Sequence, residues 1–136
     1  KAGAALPVLV AKMGELTATD RYSHFRAVAL CAESLGEKAS VGPLRRLLAL
    51  KGVGGKAMKP FAEGGVVPYP EYAHWQGGNR GIADRERSDC LRELCLARAL
   101  YNLGDSPDKL GERTLRKYAE DPRRAYANHA KKVLKD

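Results

Sequence analysis

Apolar positions recur along most of this chain at spacings of three and four, the period at which a helix brings side chains back to one face. Leu6, Leu9, Val10, Met13 and Leu16 form the first such stripe, with Pro7 near the first turn, where its missing N–H is not needed. Leu16-Thr17-Ala18-Thr19-Asp20 breaks the pattern, and Thr19 or Asp20 is placed to cap the next helix by accepting from its free backbone N–H groups. This second helix is predicted from about Arg21 to Leu35 on Tyr22, Phe25, Val28, Ala29, Ala32 and Leu35, closed by Gly36 in a left-handed conformation. Ser40 is the expected cap of a third helix, Val41 to Leu50. There Val41, Leu44, Leu47 and Leu48 face inward, Arg45 and Arg46 face water, and Pro43 is confined to the first turn.

The period then disappears. Residues 51–85 hold 8 of the 14 glycines, 3 of the 7 prolines and 4 of the 9 aromatic residues, so no helix should propagate through them. Phe61, Tyr69, Tyr72 and Trp75 carry more large apolar surface than a disordered linker does, which predicts an ordered insertion laid against the helices. Helical spacing resumes at about Asp84 to Glu86 and runs to Leu103 in two adjacent stripes. One holds Leu91, Leu94 and Cys95; the other holds Leu96, Ala99, Leu100 and Leu103, so this helix should be packed on two sides. Ser106-Pro107 and Asp121-Pro122 predict two more starts, for helices over Pro107 to Ala119 and Pro122 to Leu134, the last burying Tyr126, His129, Ala130 and Val133.

The expected fold is therefore all-α: stacked antiparallel helical hairpins in one domain over residues 1–136. A first hairpin region spans 6–50, the irregular insertion 51–85 and a second hairpin region 86–136. A helix ending in Leu-Gly, a polar hinge and a leucine-led helix occur twice, at Leu35-Gly36 and at Leu103-Gly104-Asp105. Such duplication belongs to stacks whose role is contact with something else.

With those elements in place, Phe25-Arg26, Ala29, Ala32, Leu35-Gly36, Ala39, Leu44 and Leu48 resemble a HEAT-type repeat, an α-α superhelix unit. Ala97, Leu100, Leu103-Gly104-Asp105, Leu110 and Leu115 look like a second copy that lacks an arginine matching Arg26. The stretch from Leu115 through Tyr118, Asp121, Arg123, Tyr126 and His129 to Leu134 resembles the C-terminal segment of bacterial FAD-dependent oxidoreductases that append a small helical domain to a flavin-binding body. That resemblance implies a non-catalytic accessory domain, with FAD and the redox chemistry in a region outside these residues. It also implies a partner that is the chain's own flavin domain or another protein. The opening Lys1-Ala2-Gly3-Ala4-Ala5, with no initiator Met, is expected for a piece of a longer polypeptide or for one whose leader has been removed.

Composition adds little to this and excludes some alternatives. No apolar run approaches the ~18 residues of a membrane span, and no membrane partner is expected. Cys31, Cys90 and Cys95 are an odd set without a framework, read as reduced, buried thiols; these fit the cytoplasm but leave the localisation open, since a removed leader would leave the same sequence. The net charge of +8 motivates an alternative, a basic HEAT-like nucleic-acid-binding module, with Arg45-Arg46 and Arg123-Arg124 flanking a groove; a free-standing protein-protein scaffold is the other. The charge is dispersed, however, with excesses of +3, +1 and +4 over residues 1–50, 51–106 and 107–136.

Candidate chemistry is sparse. Lys51-Gly52-Val53-Gly54-Gly55-Lys56 offers backbone N–H groups to an anion, but Leu50 and Ala57 stand where a phosphate loop requires Gly and Ser or Thr, so a flexible helix exit is expected. His24, His74 and His129 lack carboxylates or thiols at metal-ligand spacing, so no metal site, no catalytic residue and no cofactor-binding residue is assigned. His129 is expected to pack, its ring bonded to Tyr126 or a carbonyl. The one candidate interaction patch is Tyr72, His74, Trp75, Asn79 and Arg80, where an aromatic platform and a planar cation suit a flat ligand or partner side chain; the favoured alternative is that Trp75 and its neighbouring tyrosines anchor the insertion to the stack.

Overall fold

In a computed structural model that describes residues 2–58, 80–105 and 108–135, the chain is all-helical. Its helices are α1 (Ala2–Glu15), α2 (Tyr22–Leu35), α3 (Val41–Ala49), α4 (Arg80–Leu103), α5 (Leu110–Ala119) and α6 (Arg124–Lys135), with a 3₁₀ turn at Lys38–Ser40. Among the described residues there is no strand, and no helix is long and apolar enough to cross a membrane.

Helix α4 is shared by two cores. On one side Leu96, Ala99, Leu100 and Leu103 join Leu9 and Met13 of α1, Phe25, Val28 and Ala32 of α2, and Leu44, Leu47 and Leu48 of α3. On the other, Cys90, Leu94 and Ala97 join Leu115 and Tyr118 of α5 and Ala130 and Val133 of α6. Two stripes were expected on this helix, and Cys95 changes sides: it packs on the first core, not with Leu94. The residues between the stripes, Arg92 and Glu93, are buried as well.

Long-range bonds fix the directions of α2 to α6. Arg92 Nη1 donates to the carbonyls of Ala18 (2.7 Å) and Asp20 (3.0 Å) before α2, and Nη2 to that of Gly52 (3.0 Å) after α3. One guanidinium thus joins the entry of the first hairpin to its exit, so α2 and α3 are antiparallel. At the other end Asn102 Nδ2 donates to Glu33 (2.8 Å), which places the C-terminal ends of α2 and α4 together. Tyr118 meets Glu93, while Tyr101 donates to the Leu134 carbonyl at 3.2 Å and Arg123 reaches Cys90 at 3.3 Å. Helices α2, α4 and α6 therefore run one way, and α3 and α5 return.

The duplicated Leu-Gly joints are real and touch each other. Gly36 (φ 66°) and Gly104 (φ 79°) both take the left-handed conformation that closes a helix, each N–H returning to the carbonyl one turn back. Lys38 in the first joint donates to the Leu103 (2.5 Å) and Gly104 (3.3 Å) carbonyls in the second, satisfying acceptors that the end of α4 leaves open. Arg45 closes the same seam through a two-pronged pair with Asp108, at 2.5 and 2.7 Å.

Helix starts depart from expectation. Helix α1 begins at Ala2 rather than Leu6, so Pro7 lies inside it, exposed and early enough to interrupt only the first turns. Neither Thr19 nor Asp20 caps α2: Asp20 instead accepts the Thr17 N–H at 2.6 Å, closing the turn before the helix. Ser40 does not cap α3, because it sits in the 3₁₀ turn with helical φ and ψ (−78°, −17°), whereas a capping residue needs an extended backbone. Helix α4 starts at Arg80, several residues earlier than periodicity indicated, which shortens the insertion. Helix α5 starts at Leu110, not Pro107. The chain enters it through Lys109 in the left-handed region (φ 54°), and buried Asp105 takes the Gly111 N–H. Asp121 accepts the Arg123 N–H (2.8 Å), and α6 begins at Arg124 instead of Pro122.

Candidate functional site

The glycine-rich exit from α3 is an anion cradle, and the anion is part of the chain. Val53 is fully buried in the first core, pinning the turn after α3. Gly52 (φ 94°) and Gly55 (φ 78°) then bend the backbone so that two successive N–H groups point at α4. Gly55 N donates to Glu93 Oε2 at 2.9 Å and Lys56 N to Oε1 at 3.0 Å. Tyr118 adds its hydroxyl to Oε1 at 2.6 Å. Three donors on a carboxylate that is 5% exposed satisfy a buried charge, and they occupy the geometry a phosphate would need. A Cβ at Gly54 would stand 2.9 Å from the Leu48 carbonyl, so this turn is built for its internal ligand.

A second buried charge lies one residue away. Besides its three carbonyls, Arg92 stacks over Phe25 (5.1 Å to the ring centroid) and faces Asp89 at 3.7 Å. The third such centre is Asp121, whose carboxylate takes the Met58 N–H (2.8 Å) and the Arg123 guanidinium (2.7 and 2.9 Å). Burial pushes this carboxyl up; the Arg123 guanidinium and the N–H groups of Met58 and Arg123 more than offset it and hold it below the ordinary carboxylate value. Arg123 continues to the Lys56 carbonyl (3.0 Å) and Glu86 (3.2 Å). Through Glu93 and Asp121 the exit loop is tied to α4, α5 and the start of α6.

These ties change the reading of the arginine pairs. Arg45 is half-buried against Asp108, Arg46 donates to the Met13 carbonyl at 2.7 Å, and Arg123 is committed to Asp121 and Glu86; Arg124 is exposed. Arg46 stays exposed, as expected, and Arg45 is partly so, but both also hold helices together.

Tyr72, His74, Trp75 and Asn79 lie outside the described residues. Arg80 opens α4, its side chain also outside them. His24 is exposed, with Nδ1 3.8 Å from Asp20. His129 is half-buried beside Arg98 and, among the described residues, its ring bonds neither Tyr126 nor a carbonyl. Burial first, then the charges of Arg98 and Lys132, hold it below the ordinary histidine value. Cys90 is buried; burial pushes the Cys95 thiol up to about 12, so it stays protonated. Cys31 is exposed, contrary to expectation, because it falls off the Phe25–Val28–Ala32 stripe of α2. No group of three or more His, Cys, Asp or Glu among the described residues is arranged to hold a metal ion.

One accessible surface is the outer face of α2, α4 and α6. A recess of about 120 Å³ there has a floor of Leu91, Leu94 and Cys95, one wall from Tyr22 and Leu30 of α2, and His129 of α6 opposite. It adjoins a second of about 210 Å³, with Arg98 and His129 common to both and Lys132 at its edge. Leu30, 39% exposed, stands on this face. Periodicity missed it because Leu30 falls outside the α2 stripe, where an apolar residue on a polar face was the available signal, and because Leu91, Leu94 and Cys95 read as core positions of α4.

No protein-family model, curated protein or solved structure matches the chain.

Proposed function

We propose that this chain is a non-catalytic helical-repeat contact domain. In this reading two HEAT-like hairpins, α2–α3 and α4–α5, stack in register as part of an α-α superhelix, with α6 extending the layer. The observation that carries it is the seam between the two Leu-Gly joints. Lys38 and Arg45 of the first hairpin bond the second at the same end, as repeats related by a simple displacement do. The buried ionic groups support it too: Glu93, Arg92 and Asp121 are spent on internal bonds that rigidify the stack.

We place the domain as the accessory part of a FAD-dependent oxidoreductase, its partner being the flavin-binding body or another protein and FAD residing outside these residues. The terminal segment from Leu115 to Leu134 motivates this. The test is the parent reading frame, followed by titration of this chain against the encoded upstream polypeptide in a calorimeter. An FAD-binding upstream body that binds the chain is expected; a parent without a flavin-binding fold overturns the assignment.

A nucleic-acid-binding role is favoured only by the net charge and by exposed Arg124, Lys131, Lys132 and Lys135 along α6. It requires affinity that falls steeply with salt. Absence of duplex or single-strand binding at low ionic strength removes it.

A further inference from the structure

The outer groove of α2, α4 and α6 has a composition that selects a partner. Its floor and one wall are apolar, from Leu30, Leu91, Leu94 and Cys95, and no core side chain covers Leu30. Its charged rim is mostly cationic: Arg26 on α2, Arg98 on α4 and Lys132 on α6. The single carboxylate among these lining groups, Glu33, is already held by Arg98 (3.4 Å) and Asn102 (2.8 Å). Among the described residues, Arg26 and Lys132 have no carboxylate partner.

We propose that this groove docks an acidic amphipathic helix of a partner protein, which seats an aliphatic side chain against Leu30 and Leu91 and sets carboxylates against Arg26, Arg98 and Lys132. Charge complementarity and the small apolar recess carry the choice. A recess of about 120 Å³ accepts one aliphatic side chain, and helix-in-groove recognition works through such single anchors flanked by charge. A phosphate backbone would gain nothing from the apolar floor. The proposal rests on the contact-domain reading and names the face and the partner chemistry.

The experiment uses the whole chain, ¹⁵N-labelled, and a capped helical peptide of Glu, Ala and Leu as probe, with a control in which Lys replaces Glu. Backbone resonance shifts are expected at Leu30, Cys95, Arg98 and His129 with the acidic peptide only. The His129 imidazole should titrate at higher pH in the complex, since added carboxylates favour its charged form. Leu30→Glu and Lys132→Glu, both at exposed positions, should each weaken binding about tenfold while leaving the circular dichroism spectrum unchanged. The proposal is overturned by shifts confined to another face, such as α1 around Val8, by equal binding of the Lys peptide, or by no saturation at about 10 mM peptide. Displacement of the acidic peptide from these residues by a single-stranded oligonucleotide also overturns it. If the parent lacks a flavin-binding body but the peptide binds as stated, the oxidoreductase assignment fails and the groove stands; the reverse outcome leaves the assignment and removes the groove.

Discussion

The Glu93 cradle gives a prediction whose size comes from the bonds. Tyr118→Phe removes one hydroxyl from a buried carboxylate and leaves the ring, with its edge-on contact to Tyr126 (centroids 6.4 Å apart), in place. A hydrogen bond to a charged acceptor contributes about 1.5–3 kcal/mol, and the substitution leaves Glu93 with its two backbone donors, so a loss of about 2 kcal/mol is expected. Glu93→Gln does more. One carboxamide oxygen can keep Tyr118 and Lys56, but its NH₂ then faces the Gly55 N–H, donor against donor, for about 2–4 kcal/mol in all. Because the two changes disturb one network, the double variant should fall short of additivity by about 1 kcal/mol.

For a chain of 136 residues each kcal/mol moves the melting temperature by about 3–4 °C, so Tyr118→Phe should melt about 5–10 °C lower by circular dichroism. Hydrogen exchange supplies the local readout: the Gly55 and Lys56 amides should lose protection in Glu93→Gln before the α2–α3 core does. If Tyr118→Phe melts within 1 °C of the parent and those amides are unchanged in Glu93→Gln, Glu93 does not hold the loop, and Val53 with the Arg92–Gly52 bond must suffice.

Four further outcomes are expected. A Cβ at Gly111 would lie 2.7 Å from the Ala97 carbonyl and 2.8 Å from the Leu100 Cβ, so Gly111→Ala should force α5 off α4 and cost about 2–3 kcal/mol in urea unfolding. Gly42→Ala in α3, where nothing lies within 4 Å, should instead stabilise by about 0.5 kcal/mol. Asp105→Ala removes the acceptor of the Gly111 N–H at the start of α5 and should cost about 1–2 kcal/mol. Asp121 is held below the ordinary value of 3.8, so as pH falls the unfolded state takes up its proton first. Its contribution is complete above pH 3.8 and is lost as pH drops through the folded value, and Asp121→Asn should flatten the acid limb of a stability–pH curve.

The helices and both Leu-Gly joints were legible because their causes are local: apolar spacing of three and four, and a glycine where the backbone turns left-handed. Helix starts were less legible for a physical reason that repeats. The sequence signal for a cap is the residue just before the stripe, whereas the N–H groups of α5 are served by Asp105 from beyond a left-handed Lys109. Ser40 has the right side chain on the wrong backbone.

The charged groups were illegible for a related reason, and the glycine loop shows it best. Its capacity to bind an anion was visible in Gly52, Gly54 and Gly55, and the absence of a phosphate-loop signature was visible in Leu50 and Ala57. What no local pattern contains is that the anion comes from a residue nearly forty positions later. Glu93 adjoins the core position Leu94 on a helix packed on both sides. That setting is the usable signal. When a helix carries two apolar stripes, the polar residues between them have no open solvent face, and a charge there must find partners within the fold. Applied to α4, the rule selects Arg92 and Glu93, the two residues that bind both loops of the first hairpin to the second. It leaves Arg98, nearer the edge of α4, with part of its charge facing outward.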